Sequence, residues 1–143
     1  MSDDERQQVL EANRTFYKAF AQRDLATMEK LWARQSPVAC IHPGWPPIFG
    51  REQVMASWRG ILDNPAQGAI VCSEERVIIS GSMAVVVCTE SVAGSLLIAT
   101  NVFVREDSAW RLAHHQGGPM PPPGERSGRT QSAPPTPDKR TLH

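Results

Sequence analysis

Large apolar residues recur near the start of the chain at intervals of seven and four: Val9, Phe16 and Phe20, with Leu10 and Tyr17 beside them. That spacing predicts one amphipathic helix over roughly 4 to 22, opened by a capping box of Ser2 and Glu5. Asp24 fits the N-cap of a second helix, in which Leu25, Met28, Leu31 and Trp32 share a face and which Pro37 ends. Val38 to His42 is short, apolar and strand-like, and Pro43-Gly44-Trp45-Pro46-Pro47 can continue neither a ladder nor a helix. After Gly50, the stretch Arg51 to Leu62 sets Val54, Trp58, Ile61 and Leu62 on one face of a third helix, closed by Asp63-Asn64-Pro65.

From residue 69 the period changes. Three β-rich runs, about 69–79, 83–92 and 95–105, are separated by Ser80-Gly81-Ser82 and Ala93-Gly94, and a fourth covers 109–116. Strands joined by such short turns pair antiparallel, so the expected class is α+β, with three N-terminal helices packed on an antiparallel sheet. Met83 to Cys88 and Leu96 to Ala99 are apolar at both parities. One face packs on the helices, and the other implies a homodimer through the outer face of the sheet. The domain is expected over 1–118. Beyond Gly118 lie seven of the twelve prolines and almost no large apolar residue, which predicts a disordered tail over 119–143.

Composition narrows the function classes. A chain of 143 residues with 41% hydrophobic content suits one core. Fifteen basic and fifteen acidic residues cancel, which argues against nucleic acid or an anionic membrane as partner. The polar start MSDDERQQ and the absence of a long apolar run predict a cytoplasmic protein. Cys40, Cys72 and Cys88 lack CxxC spacing and read as buried reduced thiols.

Two stretches carry a family resemblance. IHPGWPPIFGREQVMASW, from Ile41 to Trp58, resembles the short strand, loop and "G-R-x-x-[IV]" helix of the nuclear-transport-factor-like (SnoaL-like) superfamily, and TNVFVREDSAWRLAHHQGG, from Thr100 to Gly118, resembles its closing strand. The resemblance implies a cystatin-like cone, a strongly curved sheet around helices with a pocket at the open end. Its motifs identify a fold on which many functions occur. Ketosteroid isomerase-like members pair a pocket carboxylate with a tyrosine or protonated carboxyl. Here Tyr17 is the sole tyrosine and Glu90 the main strand acid, and the sequence does not reveal such a pair.

Candidate chemistry rests on histidines. His42 closes the first strand before the proline-rich loop, on the face shared by Val38 and Cys40, where an imidazole can serve as acid or base. Trp110, Leu112 and His114 alternate with Arg111, Ala113 and His115, so His114 is expected inward and His115 outward unless a bulge breaks the alternation. His42 and His114 are thus the candidate catalytic residues, and Trp45, Trp58, Asn101, Cys40, Tyr17 and His115 the candidate ligand contacts. Trp45, which periodicity does not place, reads as a pocket lid. Trp58 also reads as core, and Asn101 interrupts an apolar strand where a buried amide needs partners. With no HxH or HExxH pattern, neither a metal nor another cofactor is expected.

Two functional readings follow: a noncatalytic module that binds a small organic ligand, or an acid–base enzyme of isomerase, dehydratase or cyclase type using His42 or His114. A third, lesser reading makes the tail a docking segment for another protein.

Overall fold

The computed structural model describes residues 3–121. Ser2, with its part in the capping box, and residues 122–143 of the tail lie outside that range. Helices α1 (Asp3–Ala21) and α2 (Leu25–Leu31) are followed by strands β1 (Ala39–Ile41) and β2 (Ile48–Phe49), helix α3 (Arg51–Asp63), and strands β3 (Val71–Ser80), β4 (Met83–Val92), β5 (Ser95–Glu106) and β6 (Ala109–Pro119). The expected α+β cone is present: three helices against one six-stranded sheet in the order β2-β1-β6-β5-β4-β3. Two features differ from expectation. Strand β2 was not foreseen, and β1 joins β6 in parallel, so the sheet is mixed. Strand β6 also runs one residue past the expected domain boundary, and Met120 N donates to Leu96 O at 3.2 Å.

Each helix follows from its local chemistry. The stripe Val9, Asn13, Phe16, Tyr17 and Phe20 turns α1 toward the sheet. Asp24 caps α2 by accepting from Thr27 N at 3.1 Å. Gly50 enters α3 at a φ of 87°, a left-handed value that costs glycine nothing. The next residue, Arg51, donates to Trp32 O at 2.8 Å, Ala33 O at 3.2 Å and Glu29 O at 2.6 Å, tying the start of α3 to the end of α2. The β4–β5 turn has positive φ at both Ala93 (49°) and Gly94 (85°), the two-residue geometry that matches strand twist.

The core lies between helices and sheet. Phe16, Met28, Trp32, Val54, Trp58, Val86, Phe103 and Leu112 are fully buried there. Removing their apolar surface from water is the main source of stability. No helix among the described residues is long and apolar enough to cross a membrane.

Glu106, at the end of β5, fastens the turn after α2. Its carboxylate accepts from the backbone N–H groups of Arg34 (3.0 Å), Gln35 (3.0 Å) and Ser36 (2.8 Å). Burial pushes the Glu106 carboxyl up, but these hydrogen bonds outweigh it and hold its pKa below the ordinary value. Its contribution is therefore present above the unfolded pKa and lost as pH falls through the depressed folded one. Glu106→Ala, which leaves three donors without an acceptor, should cost about 2–3 kcal/mol in chemical denaturation. Glu106→Gln should show a smaller loss of stability below about pH 4.5 than the wild type. A cost for the alanine variant within about 0.5 kcal/mol of zero would show that water replaces the carboxylate.

Candidate active site

Helices α1 and α3, the loop after β1 and the inner faces of β4, β5 and β6 enclose a cavity of about 520 Å³. Phe16, Phe20, Trp58, Ile61, Val92 and Leu97 make it largely apolar, and His42, Glu90 and His115 supply its titratable groups. Among the described residues no Lys or Arg lines it.

Glu90 reaches this cavity by strand parity. Ala84, Val86, Cys88 and Glu90 are all buried on β4, because alternate residues share the inner face. Glu90 Oε2 accepts from the Tyr17 hydroxyl at 2.6 Å, and that hydroxyl lies 3.3 Å from Cys88 Sγ. Burial raises the Glu90 pKa, against the lowering effect of Tyr17, so the carboxyl holds its proton to higher pH than an ordinary glutamate. Burial raises that of Tyr17 as well, with Glu90 and Cys88 adding to it, so Tyr17 is a neutral donor. Glycine at 117 makes room for the acid: a Cβ there would stand 3.3 Å from Glu90 Oε1 and 3.3 Å from Pro43.

His42 directly follows β1 and is only 4% exposed, and its ring meets Trp45 edge-on at 4.8 Å and Trp58 at 4.7 Å between centroids. Burial lowers its pKa to about 4, so it is neutral near pH 7. Its Nε2 lies 2.9 Å from Ser57 Oγ, which donates to Val54 O at 2.7 Å. The serine proton being committed to that carbonyl, His42 donates from Nε2 and keeps its lone pair on Nδ1.

The expected parity of β6 is reversed at its histidines. Val102 pairs with His114 but Phe103 pairs with Leu112, so Ala113 is an extra residue in β6. Past that bulge the inner positions become His115 and Gly117. His115 is buried and lines the cavity, whereas His114 is half-buried, faces away and does not line it. His115 Nδ1 meets Asn101 Oδ1 at 2.5 Å, and burial, with His42 and His114 nearby, lowers its pKa to about 3.

Of the candidates read from sequence, the structure brings His42, Trp45, Trp58 and His115 to one cavity. Tyr17 and Asn101 stand behind it, bonded to Glu90 and His115 respectively, and Cys40 packs against His42 with Sγ at 3.7 Å from Nε2. Burial lifts the Cys40 thiol to about 12, which leaves it an unreactive packing group. All three cysteines are free, with Cys40 and Cys88 buried and Cys72 half-buried. Trp45 is 45% exposed at the mouth, and Trp58 is both core and cavity wall. Glu90 was missed as a site residue, although its even-numbered alternation with Ala84, Val86 and Cys88 was present in the sequence.

Comparison with known proteins gives the context. A profile of the SnoaL-like domain matches residues 9–122. A structure described as a "putative dehydratase from the NTF2-like family" of Streptomyces avermitilis is 33% identical, with a TM-score of 0.77, covering 84% of this chain and 99% of that one. A structure from Thiobacillus denitrificans, described as a "putative calcium/calmodulin-dependent protein kinase type II association domain", is 31% identical with a TM-score of 0.69, covering 77% and 93%. The F-box protein SKIP8 of Arabidopsis thaliana is 25% identical over 115 residues, 78% of this chain. The match spans about half of that plant protein, 49% of its length.

The depressed imidazoles set a pH dependence. The unfolded chain takes up protons near pH 6.5, while the folded state resists protonation of His42 and His115 until about 4 and about 3. Their contribution is fully present above about pH 6.5 and is lost progressively as pH falls toward 4. Glu90, with its raised pKa, acts with the opposite sign, so comparison with His115→Gln isolates the imidazole. The wild type should lose more melting temperature than His115→Gln between about pH 7 and 4.5. Parallel curves for the two proteins would refute the buried, neutral His115.

Proposed function

The chain belongs to the SnoaL-like family, and from that premise we propose that its cavity performs acid–base chemistry on a small, uncharged, mostly apolar organic molecule. The observation that carries this reading is the convergence of Glu90, His42 and His115 on one apolar cavity. Burial raises the carboxyl and lowers the imidazoles. Both shifts favour the protonated carboxyl and the neutral imidazoles, the forms in which one group can give a proton and the others take one. Apolar walls strengthen every charge that develops inside. Among the described residues no Lys or Arg lines the cavity to offset the desolvation of an anionic substrate.

Dehydration is the reaction that uses these groups most fully. Protonated Glu90 gives its proton to a leaving hydroxyl, and His115 takes the proton from the neighbouring carbon. The C–H electrons become the C=C bond, the C–O bond breaks and water departs. Proton return from the His115 imidazolium to the Glu90 carboxylate completes the cycle. The resemblance to the Streptomyces protein supports this assignment over binding alone.

A second proposal concerns assembly. Across the outer face of the sheet, Ile78 pairs with Val85 and Val85 with Val102, while Ile98 and Met83 stand exposed nearby. A second copy of the chain covering this face accounts for its apolar character. Sedimentation should give a dimer at tens of micromolar, and Val85→Lys should release the monomer. A monomeric wild type would refute the dimer.

Activity is testable by incubating the protein with a panel of uncharged hydroxylated aromatic and alicyclic ketones and following loss of water by mass spectrometry. Glu90→Gln, which retains an acceptor for Tyr17, should lower kcat by about 10²–10⁴-fold while thermal-shift binding of the same compound persists. Binding without turnover in the wild type would reduce the cavity to a noncatalytic ligand site.

A further inference from the structure

Behind His115 the structure holds a continuous line of polar side chains drawn from four elements. Glu75 of β3 meets Asn13 of α1, with Oε2 2.8 Å from Nδ2. Asn13 Oδ1 lies 2.8 Å from Asn101 Nδ2 of β5, and Asn101 Oδ1 lies 2.5 Å from His115 Nδ1 of β6. Asn13 and Asn101 are both 0% exposed. Glu75 is at the rim, its side chain 13% exposed, with Oε1 3.2 Å from Arg14 Nε.

The donor and acceptor roles along this line are not interchangeable. Glu75, paired with the Arg14 guanidinium, is a carboxylate and can only accept. Asn13 must therefore present its NH₂ group to Glu75, which turns its carbonyl oxygen toward Asn101. Asn101 must then donate its NH₂ to Asn13, which turns its own carbonyl toward His115. A carbonyl oxygen accepts, so His115 Nδ1 must carry the proton. Asn101 Nδ2 also donates to the Tyr17 hydroxyl at 3.2 Å, which adds a second bond to the same orientation. His115 Nε2 is left as a lone pair, with no hydrogen-bond partner among the described residues, on a ring that lines the cavity.

We propose that Glu75 is a positioning residue: its charge, transmitted through the Asn13 and Asn101 amides, locks His115 in the Nδ1–H tautomer and leaves Nε2 as the cavity's proton acceptor. This inference deepens the acid–base reading above and rests on it for the role of His115. It also narrows the ligand. A substrate of the proposed reaction must place its acidic C–H at Nε2, and a bound molecule that does not react a hydrogen-bond donor, whereas a ligand that offers only acceptors to that atom leaves two lone pairs facing each other.

The tautomer can be read without any ligand, by long-range ¹H–¹⁵N correlation spectra of ¹⁵N-histidine-labelled protein near pH 7. The wild type should show His115 as a single species protonated at Nδ1. In Glu75→Gln the Arg14 side chain still donates, which holds the new carbonyl oxygen and turns the amide NH₂ toward Asn13. Both asparagines then reverse, and His115 should shift to the Nε2–H tautomer. Arg14→Ala, which leaves the carboxylate in place, should keep the Nδ1–H form. A wild-type His115 protonated at Nε2, or at both nitrogens, overturns the proposal. So does a Glu75→Gln spectrum that retains the single Nδ1–H form. Because no substrate is present, a failure to find turnover counts against the proposed reaction and leaves the tautomer intact. An inverted tautomer removes His115 as acceptor whatever the turnover.

Discussion

One inserted residue decides which chemistry the cone contains. The ladder between β5 and β6 slips at Ala113, between the Val102–His114 and Phe103–Leu112 pairs. Strand side chains alternate, so a slip of one residue exchanges the two faces for everything beyond it. Trp110 and Leu112 pack the core before the slip, and His115 enters the cavity after it. Without the bulge, His114 would be the inward imidazole. The same register sets His115 opposite Asn101 on one side and Cys40 on the other, so three strands meet at one row behind the cavity.

That row is polar in the most deeply buried part of the molecule, which normally costs free energy. A buried amide or imidazole without partners loses about 1–3 kcal/mol. The helix facing the sheet removes this cost by carrying its own polar residues on its apolar stripe: Asn13 and Tyr17 of α1 sit among Val9, Phe16 and Phe20. They bond Asn101, Glu75 and Glu90. Packing of α1 on the sheet and ordering of the site are therefore one event. Among the described residues the indole N–H groups of Trp32, Trp58 and Trp110 are buried without partners.

What the sequence disclosed follows from how local each feature is. Helices α1 and α3 and strands β3 to β6 were legible because their periods repeat over ten or more residues, and the seven-residue α2 because Asp24 marks its start. The turn at Ala93-Gly94 was legible because its positive φ values need such residues. Strand β2, two residues long, has no period to read, and the parallel pairing of β1 with β6 joins segments about 75 residues apart. Glu90 was legible in principle, since it continues the inner parity of β4, but its tyrosine partner comes from α1, and only the fold brings Tyr17 to it. His115 was named as a candidate contact, but its inward orientation was not legible: Ala113 carries no mark of a bulge, and the alternation of Trp110 and Leu112 turns His114 inward instead. Candidate residues near strand ends, such as His42 and Trp45, reached the cavity because they stand where loops and strand ends ring the open end of the sheet.

The mouth of the cavity also bears on the proposed reaction. Trp45 is held between Gly44 and the Pro46-Pro47 pair, at the end of a loop whose Trp45 N–H donates to His42 O at 2.9 Å. Trp45 and the His42 imidazole are therefore parts of one turn, and the indole stands edge-on to the imidazole. An apolar ligand that covers the inner faces of Trp45 and Pro43 displaces water from the same volume that contains Glu90 and His115. Water loss raises the Glu90 pKa further and lowers those of the imidazoles further, because burial already drives both shifts. In the proposed reaction an uncharged substrate would thus favour the protonated carboxyl and the neutral imidazoles still more, whereas a charged one would draw water in with it and weaken both preferences.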